Sequence, residues 1–591
     1  MVLISPGVEV NLQDYSDYTT SASSCIAGII GTSTKGPSVA LVTSVEQFEN
    51  VFGKPDTKSY GSYAAIEFLK QGNQLYYQRV LKRGEKATSG VEGVDKLLFT
   101  AVEEGTASNA LKIDVTKNED DDTVNISIKR DSIELENYKF LSMDPDSTEY
   151  VPKKINGSSS LITVQVSATG ATSTKVFTLA GGTEGATKAT STPDTEKTKP
   201  AVFSTKTVDM TVNGGKVTIT NPDTLGYADY TLTDSKGESL ERFAGVNIKD
   251  STDPRYIADV LTAYSSYLEV TIPTDANPLN GSYSLAGAKD GASELTTSDY
   301  LHRKGPIATF SDANVYPITV LAIPGITDVQ VLKAAIDMCE VRQDVMVLCD
   351  IPYGMSNSQA IDWTNASGAW SGKHTAFDSY LAAFYGPWAN LTDVYNKGRL
   401  IPVPATLAVL PRYAYAEKVN GLGSSPAGVN RGRLQNIVSL ERQLTPGEAD
   451  AWYGGRNIIN PIMNFGVDGI CINGQKTAQR RASALDRVNV VRVVTHVRRQ
   501  VLQISRQFLF ESNHTATYQR WLSVVDPMLE ALKNARVITD YVVSMDEEFV
   551  TDYDRDNSRL PGKIAIKPTK LVEFIDISLR LDSQTTSYLQ N

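Results

Sequence analysis

Hydrophobic and polar positions change their period several times along the chain, and each change marks a different kind of element. Near the start, Val8, Val10 and Leu12 alternate with polar residues just after Pro6 and Gly7, which predicts a short strand. Residues 13–24 are rich in Ser, Thr, Tyr and Asp and poor in aliphatic side chains, so they read as a tether. A strand on a tether has two destinations, back onto its own domain or onto a sheet edge of another subunit. Residues 25–31 then form an apolar strand, 43–52 and 60–71 two short helices, and 75–81 a further strand, an α/β opening.

The next two hundred residues are rich in Thr, Ser, Gly and Asp and carry short alternating strands such as 111–115 and 124–128. They contain an internal repeat. Tyr150, Val151, Ser159, Ile162 and Val164 recur 106 positions on as Tyr256, Ile257, Ser265, Leu268 and Val270, and Leu179-Ala180-Gly181 recurs as Leu285-Ala286-Gly287. One residue out of step, Leu135-Glu136-Asn137-Tyr138 matches Leu240-Glu241-Arg242-Phe243, and the Thr/Lys/Pro-rich stretch 186–200 separates the copies as a linker.

After residue 300 the α/β pattern resumes with a strand over 316–323, an amphipathic helix over 329–339 and an apolar strand over 344–349. Helices are predicted over 480–510 and 518–534, with a weaker one over 405–418 that Pro411 should break or kink. Strands over 537–545, 563–567 and 571–581 close the chain, the last carrying Phe574, Ile575, Ile577 and Leu579. The fold class is therefore α/β (α+β): a layered core domain built from both chain ends, two inserted β-rich domains related by the repeat, and extended terminal strand arms. The boundaries are 1–24 for the arm and tether, 25–94 and 299–581 for the core, 95–188 and 200–298 for the insertions, and 582–591 for a polar tail.

A chain of 591 residues exceeds the roughly 250–300 that one hydrophobic core organises, which agrees with several domains. The first basic residue is Lys35, so a secretory signal is not expected, and the apolar stretches fall short of the ~20 residues that span a bilayer. This predicts a soluble protein without membrane insertion, made in a cytoplasm. Cysteines 25, 339, 349 and 471 form neither a CxxC pair nor a disulfide framework, and the four histidines contain no close ligand pair.

No catalytic constellation is legible. GxSxG and GxxxxGK[ST] are missing, and Lys476-Thr477 lacks the preceding glycine of a phosphate loop. The acidic run 119–122 reads as a solvated turn, and the glycine-rich segment 421–432 as a tight loop packed between domains or subunits. The predictions are no enzyme activity, no catalytic residues, no cofactor and no metal.

One helix carries the strongest surface signal. Val490, Val494, Val497, Val501, Ile504 and Phe508 gather on one side of 480–510, while Arg481, Arg492, Arg499 and Arg506 gather on a stripe about 40° wide on the other. Between Lys476 and Arg506, eight Lys or Arg face one acid, Asp486, a balance of +7 in a chain whose net charge is −11. The overall charge argues against nucleic acid as a partner, whereas the stripe suits an acidic protein. An exposed helix held by intramolecular salt bridges is the other reading.

Residues 5–10 (SPGVEV), 28–37 (GIIGTSTKGP), 425–428 (SPAG), 457–477 (NIINPIMNFGVDGICINGQKT) and 486–494 (DRVNVVRVV) together resemble, in order, the contractile tail sheath proteins of phages and related bacteriocin particles. The likeness covers about residues 1–81 and 300–591, and departs at 472–477, where Trp-Gly-x-Arg-Thr would be expected. The resemblance implies a structural subunit whose N-terminal strand (Val8, Val10, Leu12) and C-terminal strand (Phe574, Ile575, Ile577, Leu579) reach into neighbouring subunits. It implies stacked hexameric rings around an inner tail tube, contraction without nucleotide, and a place in the virion after assembly in the host bacterial cytoplasm. The partners implied are further copies of the chain, the tube protein, and baseplate and tail terminator proteins. Arg481, Arg492, Arg499 and Arg506 would face the tube. An adhesin-like protein with repeated β domains, and an α/β hydrolase with β insertions, stay open as other classes.

Overall fold

The computed structural model describes residues 25–573 except 57–58, 85, 90–94, 105–108, 119–122, 131–132, 168–172, 181–184, 189, 194–199, 274–278, 290–291, 293, 304, 546–552 and 555–556. The chain opens with β1 (Ala27–Gly31), β2 (Val39–Val42), α1 (Val45–Phe52), α2 (Tyr60–Leu69) and β3 (Leu75–Arg79). Ser44 caps α1 by accepting the Gln47 N–H at 3.1 Å. Gly31 is required by packing: a Cβ there would stand 2.7 Å from the Gly61 Cα, so β1 and α2 touch backbone to backbone.

The inserted region is a structural duplication, strand for strand. Its first half is β4 (Lys86–Ser89), β5 (Leu97–Glu104), β6 (Leu111–Lys117), β7 (Thr123–Arg130), β8 (Ile133–Ser142), α3 (Val151–Ile155), β9 (Ile162–Val166) and β10 (Lys175–Thr178). Its second is β11 (Thr190–Pro193), β12 (Val202–Thr205), β13 (Lys216–Ile219), β14 (Tyr227–Thr233), β15 (Ser239–Asn247), α4 (Ile257–Tyr264), β16 (Leu268–Thr271) and β17 (Gly281–Ala286). The second forms one sheet in the order β15-β14-β13-β17-β11-β12-β16. The first follows the same path as two sheets, β8-β7-β6-β10 and β4-β5-β9, joined where Thr88 and Ala180 exchange backbone hydrogen bonds of 2.9 and 3.0 Å.

Local bonds repeat too. Glu136 accepts from the Ser160 backbone and hydroxyl, and Glu241 from the Ser266 backbone and the Ser265 hydroxyl. Tyr150 and Tyr256 each cap a helix from an isolated parallel bridge, to Ser142 and Asn247 respectively. Each copy has its own apolar cluster, around Phe99, Ile126 and Phe177 in the first and Phe203, Tyr230 and Tyr283 in the second.

Two expectations change. The stretch 186–200 is more than a linker, because it contains β11, paired with β12 and β17. The counterpart of β11 is β4, so the first copy begins before residue 95. Ser, Thr and Pro hide such a strand from a hydrophobicity pattern, since sheet pairing here uses backbone groups.

One position differs between the copies in a way that can be measured. Phe140 has φ +54° and lies 61% exposed; the equivalent residue, Gly245, has φ +61°. Both N–H groups are taken by a side chain from the neighbouring strand, Asn125 and Asp229. Left-handed backbone costs an L-residue about 1–2 kcal/mol, partly offset by glycine's larger entropy loss. Phe140→Gly should therefore raise the stability of the first copy by about 0.5–1 kcal/mol, read as a later thermal transition.

The remaining elements are α5 (Thr297–Leu301), α6 (Pro306–Thr309), β18 (Val320–Ala322), α7 (Val329–Arg342), β19 (Met346–Asp350), α8 (Asn357–Asn365), β20 (Ala382–Gly386), β21 (Ala389–Asp393), β22 (Arg399–Val403), α9 (Ala405–Asn420), β23 (Ile437–Leu440), α10 (Pro446–Tyr453), β24 (Ile459–Asn464), β25 (Ile470–Ile472), α11 (Val488–Arg506), α12 (Thr515–Asn534), β26 (Ile538–Ser544) and β27 (Lys563–Pro568). Segments from both sides of the inserted region build the principal sheet, ordered β2-β3-β1-β18-β19-β20-β24-β25. The strands from β3 to β24 pair in parallel, and β2 and β25 run antiparallel at the edges. β18, β19 and β20 are buried at every residue, as a strand covered on both faces must be.

Helix α9 runs through Pro411 without breaking. Every residue from Ala405 to Ala414 is buried, so tertiary packing outweighs the one backbone bond that proline cannot donate. α11 begins at Val488, eight residues later than expected, because 480–487 contain a loop and a single 3₁₀ turn capped by Ser483.

Candidate functional site: the C-terminal unit and its charged seam

The second half of the chain holds two apolar clusters where the sequence suggested one domain. Val488 and Val491, at the start of α11, belong to the cluster around the principal sheet. Val493, Val497 and Ile504 belong to a separate cluster with Tyr518, Trp521, Val525, Leu529 and Ile538. α11 therefore enters from the body and continues as the backbone of a small unit completed by α12, β26 and β27.

Charges line the seam between the two clusters. Arg492 is 6% exposed; its Nη2 donates to Glu417 at the end of α9, and its guanidinium lies 5.1 Å from the Tyr413 ring centroid. Burial is the largest single influence and opposes that charge, but Glu417 together with Cys25, Tyr413 and Tyr385 outweighs it and holds the Arg492 pKa above its ordinary value. One helical repeat on, the Arg499 Nη2 donates to the carbonyls of Ile318 (2.7 Å) and Asp344 (2.9 Å) and reaches the Asp344 carboxylate at 3.3 Å. Asp344 also receives a bidentate pair from Arg342, at 2.8 and 3.0 Å. Between the two arginines, burial holds the His496 imidazole below its usual value, despite Glu417.

This corrects the predicted stripe. Arg492, Arg499 and Arg506 do share one side of α11, but at Arg492 and Arg499 that side turns into the body, where Glu417 and Asp344 supply carboxylates from far away in sequence. Arg481 is exposed but precedes the helix, and Arg506 is exposed at its end. Beside Arg506, α11 exposes Arg498 and Leu502, and the corner that follows exposes Leu509 and Phe510.

β26 and β27 form a two-stranded antiparallel ribbon, and among the described residues no third strand joins either edge. Beyond it the chain returns to the body. Glu573 accepts from Arg487 Nε at 2.7 Å, Gln475 Nε2 at 2.8 Å and Tyr453 OH at 3.2 Å. No pattern around Glu573 flagged this contact; the one available signal was Gln475, inside the conspicuous 457–477 segment. Val8, Val10 and Leu12, and Phe574, Ile575, Ile577 and Leu579, lie outside the described residues, as does the acidic run 119–122.

The other sequence candidates find structural uses. The glycine-rich loop covers the free edge of β25: Gly428 N–H donates to Ile472 and Ile472 N–H to Gly432, at 2.8 and 3.0 Å. Gly423, at φ +84°, sits 3.2 Å from Val493 and Val537 by the position its Cβ would take, so the loop also closes on the C-terminal unit. The Lys476 amine donates to the Tyr453 and Gly455 carbonyls at the end of α10. All four cysteines are buried thiols, and burial pushes Cys25 up to about 12. Among the described residues, no three His, Cys, Asp or Glu side chains are grouped to hold a metal ion, and no helix is long and apolar enough to cross a membrane.

No protein-family profile matches the chain. Among solved structures it is similar to the sheath tail protein of Desulfitobacterium hafniense, with a TM-score of 0.38 and 13% identity, over 96% of this chain and 100% of that one. In sequence it is 26% identical over 326 residues to the tail sheath protein of Enterobacteria phage T4, covering 53% of this chain and 49% of that protein. It is 32% identical over 190 residues to the tail sheath protein of Salmonella phage ViI, covering 32% of this chain and 29% of that protein. The chain thus spans about half the length of the first of these relatives and less of the second. By these sequence relationships the chain is similar to the tail sheath proteins of phages over part of their length.

Proposed function

We propose that the chain is a structural subunit of a contractile tail sheath. Copies polymerise as stacked hexameric rings around an inner tail tube, and contraction of the polymer drives the tube through a cell envelope. The observation that carries this reading is the β26–β27 ribbon. A two-stranded ribbon is marginal alone, and its two edges, which no third strand joins among the described residues, are templates for further strands. The alternating segments at the two chain ends, Val8 to Leu12 and Phe574 to Leu579, are the strands that would fill those edges in neighbouring copies.

On this reading the layered α/β body and the C-terminal unit form the lattice, and the duplicated β modules are separate inserted domains on its periphery. The further partners are the tube protein and the baseplate and terminator proteins at the two ends of the polymer. The site of action is the virion, after assembly in the host cytoplasm. The subunit performs no catalysis, and the energy resides in the extended lattice. With Arg492 and Arg499 committed to the seam, the cations that α11 exposes toward an acidic tube wall are Arg498 and Arg506.

Removal of residues 1–14 tests the reading. The truncated chain should remain folded by circular dichroism and run as a monomer, with no polymer visible by electron microscopy. Polymers of normal length from the truncated chain would refute the role of the N-terminal strand.

A further inference from the structure

The chain leaves β27 at Pro568 and is pinned twice before residue 574. Thr569 is held on the C-terminal unit: its N–H donates to the Val537 carbonyl at 3.2 Å and its hydroxyl to the Arg536 carbonyl at 2.8 Å. Four residues later, Glu573 is held on the body by Arg487, Gln475 and Tyr453, which come from three separate places in the sequence. The Glu573 side chain is 17% exposed and that of Arg487 27%. The pair is thus shielded enough for charge-assisted bonds to be stronger than a surface salt bridge. The segment 569–573 crosses the seam as a strap, and residues 574–591 start from a fixed point on the body.

We propose that this clamp is a positioning device for assembly: it sets where the C-terminal segment departs toward a neighbouring subunit. The proposal rests on the strand-exchange reading above and adds the residues that aim the strand. Eighteen residues follow Glu573, enough to reach about 60 Å when extended. A segment of that reach finds one particular edge efficiently only when its origin is fixed, because the ordering of 570–573 is then already complete before two subunits meet. Freeing Glu573 would return that ordering cost to the assembly step. Val572 is exposed and contributes little to holding the strap, so the carboxylate is the anchor.

The test uses the full-length chain carrying Glu573→Ala, Arg487→Glu, Glu573→Arg, or the double exchange Arg487→Glu with Glu573→Arg, beside a truncation after Glu573. Two quantities are read: the protein concentration at which polymers form, by sedimentation, and hydrogen exchange of 569–573 in the unassembled subunit. The single variants should raise the assembly concentration at least tenfold and speed exchange in 569–573, with the far-ultraviolet spectrum unchanged. The double exchange should recover most of both, because Gln475 and Tyr453 can also accept from an arginine. If the truncation abolishes assembly while Glu573→Ala assembles at the normal concentration, the clamp is overturned and strand exchange stands. If the truncation assembles normally, strand exchange by this segment falls, and a defect in Glu573→Ala would then mark a strap with no role in aiming. Should Glu573→Ala fail to fold, Glu573→Gln replaces it, since it keeps the shape and removes the charge; normal assembly by that variant, with slow exchange, overturns the clamp.

Discussion

Replacing Glu417 with alanine is expected to destabilise the chain by about 3–5 kcal/mol, measured by chemical denaturation. Glu417 and Arg492 have side chains only 5% and 6% exposed, and among the described residues Glu417 is the carboxylate that pairs with this guanidinium. Removing it leaves a buried cation with only the Tyr413 ring and no carboxylate to offset its desolvation. The paired change Glu417→Leu with Arg492→Met should cost far less, because it removes the charge together with its partner. A small loss for Glu417→Ala, within about 1 kcal/mol, would mean that the seam admits water and that the pair behaves as a surface salt bridge.

Asp344→Ala should have an effect of similar size and a different form. Asp344 joins two guanidiniums, Arg342 from α7 in the body and Arg499 from α11, both with side chains at most 11% exposed. Its loss strips both of their carboxylate and weakens the docking of the C-terminal unit specifically. The expected result is a destabilisation of about 3 kcal/mol or more, with unfolding split into two transitions as the smaller unit separates first. Arg499→Met removes one of the two cations and leaves Arg342 paired, so it should do much less. The two carboxylates serve residues about two turns apart on one helix and both hold the same unit to the body, so the combined effect of both alanines should fall short of the sum.

The contrast between the legible and the hidden parts of this fold follows from the range of the forces involved. The central strands were readable because a strand buried on both faces must be continuously apolar, as Val320 to Ala322 and Met346 to Cys349 are. The core face of α11 was readable for the same reason. Its charged side was misjudged because a local balance of +7 counts only neighbours in sequence, while the acids that answer Arg492 and Arg499 stand 75 and 155 positions away. β11 was hidden by its Ser, Thr and Pro composition. The repeat betrayed the duplication, and yet the first strand of each copy lacked the matched residues that would have set the boundaries. Glu573 shows the same limit: a single carboxylate in a segment of alternating hydrophobicity signals nothing until Arg487, Gln475 and Tyr453 are brought around it.

The central claim is that this chain works by polymerising with itself. Electron microscopy of the purified full-length chain over a range of concentrations tests it most directly. The account predicts tubes or stacked rings with sixfold symmetry, appearing above a threshold concentration. A uniform field of single subunits at every concentration would contradict it.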